Sequence, residues 1–99
     1  MNVNISSINF KADSKLEDFI KEKVEKLSGF FDGVMESDVK LRLEGASNNE
    51  NKIAEIKLIV PGNDLFAKKQ AKSFEEAVDN AVHALRKQLM KRKEKMKGL

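Results

Sequence analysis

The feature that most limits the fold of this chain is an apolar stripe at helical spacing that gives out before its helix does. Phe74, Ala77, Val78, Ala81, Val82, Leu85 and Leu89 recur at intervals that put them on one helical face. Ser73 with Glu76 forms a capping box that opens this helix. Past Leu89 the stripe is broken by Arg92 and resumed only by Met96. A helix from Phe74 to Met96 would be roughly 34 Å long at about 1.5 Å per residue. A strand of about eight residues is roughly 26 Å long. Any sheet beneath this helix is therefore shorter than the helix, whose last turn or two must overhang.

The rest of the chain supplies that sheet. Asn2 to Phe10 reads as a first strand, with Val3 and Ile5 alternating with Asn and Ser. Ser14, with Glu17 three residues on, reads as a capping box for a first helix. Leu16, Phe19, Ile20, Val24 and Leu27 give that helix its apolar face. It should stop near Ser28–Gly29 through the left-handed conformation glycine readily adopts. Phe30 and Phe31 follow as a closing edge of the core. Val39, Leu41 and Leu43 alternate with Lys40, Arg42 and Glu44 in a half-buried strand. Gly45 to Asn51 is a turn by composition. Ala54, Ile56, Leu58 and Val60 point inward from a third strand, ended by Pro61–Gly62–Asn63. Asp64 to Ala71 forms a fourth, with Leu65 and Ala67 inward. The order is β-α-β-β-β-α, an α+β fold. Its four-stranded mixed sheet carries two helices on one face and makes a single domain over residues 1–99.

The overhang also concentrates charge. His83 to Leu99 carries seven Lys/Arg against one acid, while the first 82 residues are net −3. Such asymmetry points to a polyanionic partner, with nucleic acid the first candidate. At 100° per residue, Arg86, Lys93 and Lys97 line one flank of the stripe, and Lys87, Lys91 and Lys95 the other. Cations on both flanks fit a helix end lying against a surface of phosphates. Two other readings stand beside this one. Basic residues in a last turn complement the helix macrodipole at about 0.3–1 kcal/mol each, which accounts for two or three of the seven. A basic amphipathic helix can also dock on a membrane or in an acidic protein groove, although only Met90 and Met96, with Leu99 beyond, extend the apolar face past Leu89.

Several chemistries are excluded or unsupported. The chain has no cysteine, hence no disulfide, thiolate metal site or cysteine nucleophile. Its one histidine, His83, falls on the polar face of the last helix and makes neither a metal set nor a triad. No phosphate-binding glycine loop occurs. Asp13, Glu44, Glu55 and Asp64 show no spacing that pairs them as acid and base. Tyrosine and tryptophan are absent, so base stacking on the strands has little support. Lys40, Arg42, Lys57 and Lys68 share the outward sheet face with Glu44 and Glu55, a mixture that any soluble sheet shows. No enzyme, cofactor, metal or small-molecule substrate is expected. No apolar run approaches the roughly 18–20 residues that span a bilayer, and the N-terminus lacks a signal-peptide pattern, so a cytoplasmic protein without a membrane partner is expected.

The ending S-F-E-E-A-V-D-N-A-V-H-A-L-R-K-Q-L-M-K-R-K-E-K-M-K, the K-V-E-K-L-S-G-F-F-D of the first helix and the element order resemble the ribosome hibernation promoting factor family. That family includes the ribosome-associated inhibitor called protein Y, and the chain looks like its short form. The resemblance implies a monomeric, non-enzymatic regulator bound to the small ribosomal subunit, its 16S-type rRNA and proteins, in the channel used by mRNA and tRNA. It implies rRNA contacts from Lys23 and Lys26 of the first helix and from Arg86, Lys87, Lys91, Arg92, Lys93, Lys95 and Lys97 of the last. Ala84 replaces a frequent lysine, and Arg86 stands one place before the family's usual arginine, where this chain has Lys87. Lysine lacks the bidentate fork of arginine, so Arg86 and Lys87 compete for the key phosphate contact. A double-stranded RNA-binding module, or a protein-interaction domain with a basic docking helix, are the alternatives.

Overall fold

The computed structural model describes residues 1–29, 33–45 and 49–97, with side chains followed to Glu94. Its elements are β1 (Asn2–Ile8), α1 (Ser14–Glu25), a 3-10 turn at Lys26–Gly29, β2 (Glu36–Leu43), β3 (Lys52–Ile59), β4 (Leu65–Ala71) and α2 (Phe74–Lys97). The sheet order is β1-β2-β3-β4, with β1 parallel to β2 and the other pairs antiparallel. The expected order and mixed sheet are therefore present.

Alternation decides the faces. Val39, Leu41, Ala54, Ile56, Leu58 and Ala67 point to one side of the sheet, where they join Ile20, Val24 and Leu27 from the first helical segment. Ala77, Val78, Ala81, Leu85 and Leu89 of α2 complete this core. Both helices thus cover one face, and the other stays open. Val3 and Ile5, on the edge strand, are only half-buried against the core.

Three local expectations change. β1 ends at Ile8 rather than Phe10, because Asn9 adopts a left-handed φ of 71°, which asparagine tolerates and a strand does not. Phe10 turns inward instead and stacks on Phe74, ring centroids 4.5 Å apart. The cap of α1 is Asp13, not Ser14: its carboxylate accepts the Leu16 amide at 2.8 Å, and Ser14 is already helical. Glycine does not end α1 in a left-handed turn, since Gly62 alone among the described glycines has positive φ. The helix tightens instead into the 3-10 turn, where the Ser28 hydroxyl donates to the Glu25 carbonyl at 2.7 Å. Phe30 and Phe31, and part of the turn from Gly45 to Asn51, lie outside the described residues. Ser73 caps α2 as expected, its hydroxyl accepting the Glu76 amide at 3.1 Å.

The cap assignment is open to a direct test. Asp13→Ala should lower unfolding free energy by about 1 kcal/mol in urea titrations, within the usual range for a lost N-cap. Ser14→Ala should leave the midpoint in place. The reverse ranking would return the cap to Ser14.

Candidate nucleic-acid interface

Topology brings the ends of the two helices together. Because β4 runs parallel to β1, the helices that return from them run parallel to each other. Phe10, just before α1, stacks on Phe74, the first residue of α2, so both N-termini lie at one end of the sheet. Their C-terminal turns, with most of the helix cations, share the opposite end.

Between the C-terminal half of α1 and the middle of α2 lies a groove. Lys23, Lys26 and Leu27 line it from one side, and Asp79, Val82, His83 and Arg86 from the other. Buried Leu27 and half-buried Val82 are its apolar members, and the remaining lining groups are charged or polar. Spacings of three and four residues on each helix put these side chains face to face. The Lys23 ammonium lies 3.5 Å from the Asp79 carboxylate and 5.5 Å from the centre of the Phe19 ring. Such a pair near the surface contributes about 1 kcal/mol or less, but it orients Lys23 at the groove. Three Lys/Arg side chains against one carboxylate leave the cleft cationic. Lys23, Lys26 and Arg86, 63 residues apart in sequence at the extremes, thus form one cluster.

Beyond Leu89, which is fully buried, α2 leaves the core. Lys91 and Lys93 are exposed along this stretch beside exposed Met90, and Lys87 is exposed just before it. Arg92 does something else. Its guanidinium folds back onto the β3–β4 turn and donates to the Asn63 carbonyl at 2.7 Å and to that of Pro61 at 3.5 Å. One helical turn earlier, the Gln88 amide donates to the Phe66 carbonyl at 3.1 Å. The two form a polar edge that continues the apolar stripe and fixes the helix against β4. Lys95 and Lys97 fall within α2, but their side chains lie outside the described ones.

The open sheet face is different in kind. Arg42 pairs with Glu44 at 2.9 Å and with Glu55 at 3.0 Å, and Lys57 pairs with Asp64 at 3.6 Å. Arg42 and Lys57 are thus matched by neighbouring carboxylates, and Asp13 serves as a cap. All four acids weighed in the sequence as candidate acid or base thus have structural tasks. Among the described residues no three His, Cys, Asp or Glu side chains gather as a metal site would need, and no helix is long and apolar enough to cross a membrane.

Sequence reasoning missed three contributors: Asp79, which holds Lys23; Gln88, which anchors α2; and His83, which faces the groove. The first and last lie on the flank defined by Arg86, a signal that becomes readable only once α1 is known to pack there.

Comparison with known proteins gives consistent matches. A family model described as Sigma 54 modulation protein / S30EA ribosomal protein matches residues 3–97. A Klebsiella oxytoca protein named ribosome hibernation promoting factor is 30% identical over 97 residues, covering 98% of each chain. The Bacillus subtilis ribosome hibernation promotion factor is 29% identical over 98 residues, spanning 97% of this chain and 50% of that longer one. Among solved structures, the N-terminal domain of Thermus thermophilus Protein Y aligns with a TM-score of 0.79 at 26% identity, covering 90% of this chain and 96% of that one. A ribosomal subunit interface protein from Coxiella burnetii aligns with a TM-score of 0.82 at 19% identity, covering 94% and 98%, which speaks to the fold alone.

The position of Arg92 yields its own expectation. Arg92→Ala should cost about 1 kcal/mol of stability through the lost carbonyl contacts and speed amide exchange around residues 61–65. If exchange there stays at the wild-type rate, Arg92 is not what holds the turn.

Proposed function

Because this chain belongs to the Sigma 54 modulation protein / S30EA ribosomal protein family, we propose that it is a ribosome hibernation factor. It binds the small ribosomal subunit and keeps idle ribosomes out of translation. The names of its relatives supply the class of partner. The observation that carries the chemistry is the meeting of Lys23 of α1 and Lys26 of the 3-10 turn after it with Arg86 of α2 in one groove. From the same side of the core, the exposed Lys87, Lys91 and Lys93 extend the charge along the overhang.

The mechanism is occlusion. Lysine and arginine side chains on a rigid two-helix platform replace the counterions of rRNA phosphates, and the release of those ions drives association. Arg86 presents a planar fork able to grip one phosphate through two parallel hydrogen bonds, whereas Lys87 offers a point charge. Arg86 is therefore the better candidate for an orienting contact, and Lys87 with Lys91, Lys93, Lys95 and Lys97 for attraction. Arg92 contributes at one remove: held on the 61–63 turn, it sets the angle at which the overhang leaves the sheet. Phosphate contacts of this kind fix orientation and carry little sequence information. Once seated in the channel used by mRNA and tRNA, the bulk of the domain excludes both.

Sedimentation with purified small subunits tests this reading. Changing Lys87, Lys91 and Lys95 together to Glu should abolish co-sedimentation while circular dichroism and melting temperature stay near wild type. Replacing Lys91 alone with Ala should lower the slope of log affinity against log salt by about one. Undiminished binding of the triple variant would remove the overhang from the interface, and unhindered tRNA binding to the saturated subunit would remove occlusion.

A further inference from the structure

We propose that His83 is a phosphate-binding residue of the α1–α2 groove and takes up a proton as the polyanion enters. This rests on the RNA-binding reading above and adds to it a residue and a pH dependence. His83 is exposed and lines the same cleft as Lys23, Lys26 and Arg86. It stands four residues after Asp79 and three before Arg86, on the flank of α2 that meets α1. The charged groups that share the cleft with it are Lys23 from α1, Lys26 from the 3-10 turn after it, and Asp79 and Arg86 from its own helix.

The chemistry follows from the size of the cluster. A neutral imidazole has one N–H donor and one acceptor nitrogen, and an imidazolium has two donors. A phosphate drawn in by the three neighbouring cations places acceptor oxygens beside the ring. An opposite charge within about 4–6 Å favours the charged form of a titrating group. Occupancy of the cleft and protonation of His83 are therefore linked. Carboxylates, ammonium groups and guanidinium groups ordinarily change charge outside the range of about pH 5 to 8 in which imidazole does, so a pH response in that range singles out the histidine. Its sign is fixed: the complex holds the proton more firmly than the free protein, so binding tightens as pH falls.

The rRNA and ribosomal proteins titrate too, so the measurement is a ratio. Affinities of the wild type and of His83→Gln for purified small subunits are compared at constant ionic strength, from about pH 8.5 down to about pH 5.5, across the imidazole range. Wild type should equal the variant at the alkaline end and exceed it several-fold at the acid end. His83→Lys, which keeps a cation at the position, should bind across the range as tightly as wild type does at the acid end. A ratio that stays constant with pH overturns the role of His83 while leaving RNA binding intact. Failure of the wild type to bind at every pH overturns the proposed function itself.

Discussion

The rest of the molecule depends on the seam where α2 lies across β3 and β4. Leu85 and Leu89 are fully buried there, among Ala77, Val78 and Ala81 from the same helix. Truncating one such leucine to alanine commonly costs about 2–5 kcal/mol, out of a total stability of about 5–15 kcal/mol for a domain. The alanines let the helix lie close to the sheet, and the leucines fill the space toward its far end. Where apolar burial stops, Gln88 and Arg92 continue the attachment through backbone carbonyls of β4 and the preceding turn. The helix is thereby fixed in rotation as well as position. That rotation turns the Asp79–Arg86 flank toward α1 and leaves Lys87 and Lys91 on the outside.

Parallel helices side by side bring like ends of two macrodipoles together, an arrangement that opposite charges at each end relieve. The sequence distributes its charges accordingly. Asp13 and Glu17 stand at the start of α1, and Ser73, Glu75 and Glu76 at the start of α2. Lys23 and Lys26 lie near the end of the first helical segment, and the long basic run near the end of the second. The dipole calls for a few of these cations. The remainder exceed any internal need, and they line the same end as the cationic groove.

Elements whose signal is local were legible in the sequence. Strict alternation in β2 and β3 and the stripe of α2 gave their type and facing, because each residue's environment depends on neighbours two to four positions away. Competition between adjacent groups was less legible. Asp13 and Ser14 both suit a cap, and the longer-reaching carboxylate at Asp13 holds the Leu16 amide. Ile53 lies on the face opposite the helices yet is 2% exposed, since its cross-strand neighbours Arg42 and Gln70 carry long stems that can cover it. Contacts between distant segments were the least legible. Nothing in the run M-K-R-K distinguishes Arg92 from its neighbours until the 61–63 turn is seen beside it. Likewise, the basic positions of α1 could be tied to α2 only through a family resemblance, which carried no information about Asp79 or His83.

The self-matched charges of the open sheet face have a kinetic consequence. With Arg42 and Lys57 each held by carboxylates there, positive charge is concentrated toward the helix side and its far end. A domain so polarised experiences a torque in the field of a highly charged surface and turns its helices toward it before contact. Fewer collisions are then wasted on the wrong face, and the capture rate rises by a factor that shrinks as added salt shortens the reach of the field. The ion pairs across the sheet, each worth little to stability, thus help the protein arrive the right way round.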